Sequence, residues 1–316
     1  MRAIVVGSRG SALARRQAEM VMERLRELYP GLELSLRIVR TAGDRDQHTP
    51  LEELENLGGS GIFVKELEMA LLRGEADMAV HSLKDLPTED TPGLLLGAIP
   101  ARGDVRDAFL SKDSLPLAAM PPGSRIGTGS LRRAVQLGAL RPDLEAVPVR
   151  GNVDTRLRKL REGEMEGLLL AAAGLERLGR LSEATELLPP DIVIPAPGQG
   201  ALAIQCREGD EELLELLEPL DHRETRLAVT AERAMLKALG GGCRVPIGAW
   251  GQIYGQELSL LGFVASHDGR HILEAQEQGP ADAPEALGQK LAERLLSLGA
   301  GAIVAREGPE ARAGWV

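Results

Sequence analysis

Many basic residues of this 316-residue chain stand inside short turn-forming runs of Gly, Ser and Thr. Arg9 lies in Gly7-Ser8-Arg9-Gly10-Ser11, Lys84 in His81-Ser82-Leu83-Lys84-Asp85, and Arg150 precedes Gly151-Asn152. Arg132 and Arg133 follow Gly127-Thr128-Gly129-Ser130. Small residues ahead of a helix leave its first N–H groups open, and a neighbouring guanidinium adds a planar fork matched to carboxylate or phosphate. Arginine at a helix start works against the helix dipole. Its recurrence there, in a chain of formal net charge −10, points to a cleft for a small molecule bearing several negative charges.

Composition narrows the partners. Net acidity opposes general phosphate-backbone binding, and aromatics at 2% leave few stacking platforms for single-stranded nucleic acid. No stretch reaches the roughly 18–20 apolar residues of a membrane span, and the first apolar run is too short for a secretory signal. Cys206 and Cys243 make no disulfide framework, so a reducing, cytoplasmic home is expected. His267 and His271 lack partners at a ligand spacing, and no metal site is expected. At 43% hydrophobic and 27% charged the chain reads as globular, and its length suggests two or three domains.

The elements that must hold these residues alternate between strand and helix over the first 200 positions, the pattern of parallel α/β layers. Residues 4–6 read as a strand, and Ser11 caps a helix bearing Ala14, Ala18, Val21, Leu25 and Leu28. A strand follows at 34–39, then a polar stretch, 41–60, of the length expected of a lid. A helix at 63–73 leads to a strand at 78–80, and 81–87 leaves its carboxyl end, where open α/β sheets bind ligands. Residues 100–104 read as a linker. A second alternating unit has strands at 108–110, 125–128, 147–149 and 168–171, with helices starting at Ser130 and Asn152. A second linker, 194–200, leads to a strand at 201–206. Two linkers bracketing one unit imply a domain inserted in another, with a hinge of two strands. After residue 222 come a helix at 223–239, strands at 247–253, 258–265 and 271–276, and a helix at 284–298: a small α+β domain.

Four ordered motifs carry a resemblance: His81-Ser82-Leu83-Lys84-Asp85-Leu86-Pro87, Gly127-Thr128-Gly129-Ser130-Leu131-Arg132-Arg133, Pro195-Ala196-Pro197-Gly198-Gln199-Gly200, and Gly241-Gly242-Cys243-Arg244-Val245-Pro246-Ile247-Gly248. Together they closely resemble the porphobilinogen deaminase (hydroxymethylbilane synthase) family, from Val6 to past Gly248. The resemblance implies two periplasmic-binding-protein-like lobes and a cofactor domain: residues 1–100 with 199–220, 101–198, and 221–316. It implies a cytoplasmic monomer whose substrate is porphobilinogen, with neither nucleic acid nor membrane as partner. Four substrate molecules would lose ammonia and join head to tail on a covalent dipyrromethane, and hydroxymethylbilane would be released by water.

By that match Cys243 carries the dipyrromethane as a thioether; without it, Cys243 would read, like Cys206, as a small buried hydrophobe. Arg9, Ser11, Lys84, Thr128, Ser130, Arg132, Arg133, Arg150 and Arg156 are assigned to acetate and propionate groups, with Arg177 a further candidate. Bidentate, permanently charged arginine suits the task, because each added unit brings two more carboxylates into the cleft. Gln199 and Gly200 would reach the cofactor from the second linker, and Phe63 either stacks on a pyrrole or packs in the core. Asp85 is the expected catalytic group. Its carboxylate would steady the positive charge of an azafulvene-like species and could move the proton leaving the attacked ring. The plain alternative is a Lys84–Asp85 surface pair worth at most about 1 kcal/mol. On an extended segment those two side chains would point apart.

The chain departs from the family pattern at Ser60 and Ala42, where lysines are usual, and at Gly129, where serine is common. The expected lid is therefore short of positive charge, while Asp44 keeps the family residue. A rival reading is a two-lobed solute-binding protein closing on a dicarboxylate; Cys243 behind its glycines and the third domain count against it.

Overall fold

The computed structural model describes residues 3–39, 64–240 and 245–306. The expected lid with Ala42, Asp44 and Ser60, and also Phe63 and Cys243, lie outside the described residues. Contacts divide the chain into two compact units: residues 1–104, 173–180 and 199–226, and residues 105–172, 181–198 and 227–316.

In the first unit, β1 (Ile4–Ser8) buries Ile4 and Val6, and Ser11 caps the helix that follows. With φ −67° and ψ 150°, Ser11 accepts the Ala14 N–H at 3.2 Å and starts α1 (Ala12–Leu28). The buried face of α1, Ala14, Ala18, Val21, Met22 and Leu25, is a helical-period stripe lying on the sheet, with Gln17 a polar residue inside it. Then come β2 (Leu34–Ile38), α2 (Lys65–Leu72), β3 (Met78–Ser82) and β4 (Leu94–Ala98). The sheet order is β2-β1-β3-β10-β4, where β10 (Leu202–Arg207) returns much later in sequence. β1 pairs parallel with β2 and β3, while β10 runs antiparallel to β3 and β4.

The second unit repeats this plan. Its strands are β5 (Asp107–Ser111), β6 (Arg125–Thr128), β7 (Glu145–Pro148), β8 (Gly167–Ala171) and β9 (Glu186–Leu188), in the order β7-β6-β8-β5-β9. Here β5 is the antiparallel member, against β8 and β9. Each sheet thus takes its antiparallel strand from the chain directly after a linker: β5 after 100–104, β10 after 194–200. Both sheets are therefore mixed, not purely parallel. The sequence pattern hid this because a fully buried strand reads alike in either direction. The outcome is two α/β lobes of the binding-protein type. α3 (Leu131–Leu140) and α4 (Val153–Glu162) pack on the second sheet. α5 (Ala172–Arg177) follows β8 directly, and all but its first residue belongs to the first unit.

α6 (Glu211–Leu217) belongs with the first unit and its sheet, while α7 (Arg223–Ala238) covers a three-stranded antiparallel sheet in the carboxyl-terminal part of the second. That sheet is β11 (Ile247–Tyr254), β12 (Glu257–Ala265) and β13 (Ile272–Pro280), backed by α8 (Pro284–Ser297) and α9 (Ala300–Arg306). Gly240, at φ +65°, ends the α7 segment.

Gly288 lies within α8, where glycine costs roughly 1 kcal/mol relative to alanine. A Cβ there would stand 2.7 Å from the Ala234 Cβ and hard against the Ala231 carbonyl of α7. Gly288→Ala should therefore lower unfolding free energy by about 1–3 kcal/mol despite its better helix propensity. An unchanged or raised urea midpoint would contradict this packing.

Candidate active site

At the carboxyl end of the first sheet a small recess is lined by Arg9, Ala14, Gln17, Val64, Val80, His81, Ser82 and Asp85. Arg9 follows β1 directly, and Gln17 reaches from α1 to Ser82, its Nε2 donating to the Ser82 Oγ at 2.9 Å. The Ser11 Oγ is committed as an acceptor to the helix cap, which leaves its hydroxyl proton for a ligand. Beyond Ser82 the chain turns in a single 3-10 turn, Leu83–Asp85, pinned by Leu83 N–H to the Ala201 carbonyl and Leu86 N–H to the Leu83 carbonyl.

That turn corrects the expectation of an extended segment. Burial of Leu83 draws the backbone into a 3-10 geometry, which spaces successive side chains by about 120°. Lys84 and Asp85 still diverge. Lys84 Nζ donates to Gln199 Oε1 at 3.4 Å, whereas Asp85 is exposed and its carboxylate has no hydrogen bond or ion pair among the described residues. The plain surface-pair reading thus fails on geometry.

The second linker meets the same unit. Gln199 is buried, and its carbonyl accepts from Arg102 Nε at 2.7 Å. Gly200 has φ +86°, and a Cβ on it would lie 2.6 Å from the Gly103 carbonyl oxygen, so only glycine lets the two linkers run together. Arg177 donates to the Gly200 carbonyl, and burial lowers its pKa, so one of the expected substrate ligands is anchored on the linker main chain.

The second unit holds Thr128, Ser130, Arg132, Arg133, Arg150 and Arg156. Thr128 ends β6 and its Oγ1 accepts the Ser130 N–H at 3.1 Å. Ser130 stands at the N-cap of α3 but makes no side-chain cap, so its hydroxyl and the first helical N–H groups remain donors. Arg132 and Arg133, 4% and 5% exposed, fold inward onto Asp107, the fully buried first residue of β5. Asp107 Oδ2 accepts from Arg132 Nη2 at 2.8 Å, and Oδ1 from Arg133 Nε at 2.9 Å and Nη2 at 2.7 Å. Burial would raise the Asp107 pKa, but the two guanidiniums outweigh it and hold the carboxyl well below its usual range. Arg132 Nη1 also donates to the Ile194 carbonyl, and its buried Nε has no hydrogen-bond partner among the described residues.

Asn152 caps α4 by accepting the Thr155 N–H, and Arg156 Nε donates to the Gly151 carbonyl at 2.8 Å. At Gly129 a Cβ would stand 2.9 Å from the Val149 carbonyl oxygen and 3.3 Å from Arg156 Nη2, so the glycine keeps β6, Val149 and Arg156 close. One device recurs in each unit: main-chain carbonyls accept from Arg102 and Arg177 in the first and from Arg132 and Arg156 in the second. A carbonyl orients a guanidinium without itself neutralising it. The open buried N–H on Arg132 fits a carboxylate-bearing group.

Sequence reasoning passed over Gln17, His81, Asp107 and Glu232. Gln17 was visible as a polar interruption of the α1 stripe, and Asp107 as an acid heading the apolar run 108–110. Glu232, fully buried on α7, accepts the Gly198 N–H at 2.7 Å and the Gly251 N–H at 2.8 Å, clipping the second linker to β11. No local signal marks that role. Cys206 is buried, with its thiol pushed up to about 11 by burial, as its plain reading expected. Among the described residues no cluster could hold a metal, and no helix is long and apolar enough to cross a membrane.

Burial lowers the His81 pKa to about 4, against its contact with Gln205 and helped by the charge of Arg9. The ring is therefore neutral at neutral pH. In the unfolded chain it titrates near 6.5, so between pH 6.5 and 4 only the unfolded state takes up the proton and stability falls with pH, by about 3 kcal/mol at most. In His81→Gln the urea midpoint should lose less than the wild type between pH 7 and 4.5; parallel losses would refute the assignment.

Comparison with known proteins identifies the family. The family model for porphobilinogen deaminase, dipyromethane cofactor binding domain, matches residues 4–215, and that for porphobilinogen deaminase, C-terminal domain, matches residues 226–297. The porphobilinogen deaminase of Desulforudis audaxviator is 50% identical over 305 residues, covering 96% of this chain and 98% of its own length. That of Methylobacillus flagellatus is 51% identical over 302 residues, covering 96% of each chain. Among solved structures, the periplasmic aliphatic sulphonate binding protein SsuA from Escherichia coli covers 94% of this chain and 88% of its own, at 13% identity and a TM-score of 0.39. The GlnP substrate binding domain 2 of Lactococcus lactis covers 76% and 91%, at 13% identity and a TM-score of 0.41. Those overlaps are loose, and the architecture rests on the strand orders instead. On two family models in register and full-length identity to named relatives, the chain belongs to the porphobilinogen deaminase family.

Proposed function

We propose that Asp85 is the catalytic carboxylate of this chain and that Cys243 bears its dipyrromethane as a thioether. The family reaction joins four porphobilinogen molecules head to tail with loss of ammonia and yields hydroxymethylbilane for tetrapyrrole synthesis; this chain is a transferase of that kind, and its larger family-model match is to the cofactor-binding domain. The observation that carries the assignment of Asp85 is its exposed carboxylate, without a partner among the described residues, on the rim of the recess that Arg9 also lines. A carboxylate left open in this way can accept a pyrrole N–H and steady positive charge as it develops, a contribution made in the transition state. It can also take the proton released when a new C–C bond forms.

We assign Arg9, Ser11 and Lys84 of the first unit, and Thr128, Ser130, Arg132, Arg133, Arg150 and Arg156 of the second, to the acetate and propionate groups of cofactor and substrate. Arg177, Gln199 and Gly200 are assigned to the linker side of the same ligand, and Phe63 to substrate contact. The dipyrromethane, when bound, supplies the primer that accepts each new unit; the protein's part is to neutralise carboxylates and to hold a proton acceptor at Asp85. We read the chain as three domains (1–100 with 199–220, 101–198 and 221–316) and as a cytoplasmic monomer. The two matched family models, which divide between residues 215 and 226, support a separate carboxyl-terminal domain.

Intact mass spectrometry tests the attachment. The active protein should weigh more than its sequence by two linked pyrroles, and Cys243→Ala should lose that increment together with activity. Full activity at the bare sequence mass would end the proposal. For Asp85→Asn we expect a folded protein with kcat reduced by about 10²–10³ or more and a much smaller change in KM. Near-normal turnover would remove Asp85 from the chemistry.

A further inference from the structure

The arginine pair at the start of α3 carries a feature that the family reaction does not account for. Asp107 offers one carboxylate to two guanidiniums and takes three of their N–H donors, namely Arg132 Nη2, Arg133 Nε and Arg133 Nη2. The Ile194 carbonyl accepts from Arg132 Nη1 and the Leu169 carbonyl from Arg133 Nη1. These three side chains together carry one net positive charge where the two arginines alone would carry two. Neighbouring residues of a helix point about 100° apart, yet both guanidiniums meet at the first residue of one strand. Asp107 is what makes them converge.

We propose that Asp107 is a positioning residue that sets both the orientation of Arg132 and Arg133 and the strength with which they hold carboxylates. The inference rests on the reading that these arginines bind the carboxylates of the pyrrole chain. A polymerising site faces a constraint that a simple binding site does not: a carboxylate held for one addition must be released for the next. Two adjacent buried cations with no counter-charge would grip an oligocarboxylate strongly, because Coulomb attraction is little screened away from water. A shared aspartate halves the net charge and still fixes the forks. A surface pair could not do this, since exposed guanidiniums are reoriented and screened by solvent.

Asp107→Asn and Asp107→Glu test the idea, with kcat, KM and the intact mass of the protein read during turnover. In Asp107→Asn the carboxylate charge is gone, so release should slow. We expect kcat to fall by about 10–100-fold, the scale of one charge-assisted hydrogen bond, with KM unchanged or lower. The mass spectrum should shift towards protein retaining extra pyrrole units, and added salt should partly reverse that shift. In Asp107→Glu the charge is kept but displaced by one methylene, so kcat should fall without retention of pyrrole units. Should Asp107→Asn fail to fold, Asp107→Glu carries the test alone: wild-type kcat in that variant overturns the proposal. So does a folded Asp107→Asn whose mass distribution matches the wild type, or whose activity falls only in step with its folded fraction. Arg132→Gln separates the two levels of argument. If it keeps the cofactor mass and full turnover, the arginine assignment itself is wrong; if it loses them while both Asp107 variants behave as wild type, only the role of Asp107 is.

Discussion

A guanidinium taken out of water needs an acceptor for its N–H groups, and the kind of acceptor decides how much charge it has left. In this protein main-chain carbonyls accept from several such groups: Ile194 from Arg132, Gly151 from Arg156, Gly200 from Arg177 and Gln199 from Arg102. A bond of that kind fixes geometry without itself cancelling charge. Asp107 acts differently, as a fully buried carboxylate shared by one arginine pair. A catalyst for an acidic oligomer depends on this balance, because cations fully paired by carboxylates have nothing to offer a ligand, and unanchored ones cost entropy each time they bind.

The folding plan supplies those carbonyls. β5 and β10 each run antiparallel to both of their sheet neighbours, and each arrives directly from a linker. The linker ends are thereby fixed to sheet edges and to one another, as the Gly103 N–H to Gly200 carbonyl bond illustrates. Asp107 benefits from the same arrangement. As the first residue of β5 it is held by strand pairing with Ala171 on one side and Leu188 on the other, so its carboxylate is placed by backbone and not by its own rotamer alone. Glu232 does comparable work farther on, tying Gly198 and Gly251 through their N–H groups.

Much of the local structure was legible. Ser11 and Asn152 cap the helices they were expected to cap, since a short hydroxyl or amide ahead of an apolar stripe satisfies an orphan N–H wherever the helix lies. The boundaries of β6 were read correctly from Gly, Thr and Ser, and the three carboxyl-terminal strands from alternation and turns. Other features misled. β4 passed unread, and Lys84 and Asp85 were placed on an extended segment and sit on a turn. In each case a packing partner distant in sequence overrode the local preference: Ala201 for the turn at Leu83, β10 for β4.

The residues that could meet carboxylates, the pair of linkers and the family motifs were all fixed by the order of amino acids, because turn chemistry, helix caps and hydrophobic period act over a few residues. Direction of the two antiparallel strands, the inward turn of Arg132 and Arg133, and the choice of Asp107 as their common counter-ion were decided only by the tertiary structure. Those depend on contacts between positions 25 or more apart, where solvent exclusion and strand pairing, not neighbouring residues, determine which charge stays open and which is matched.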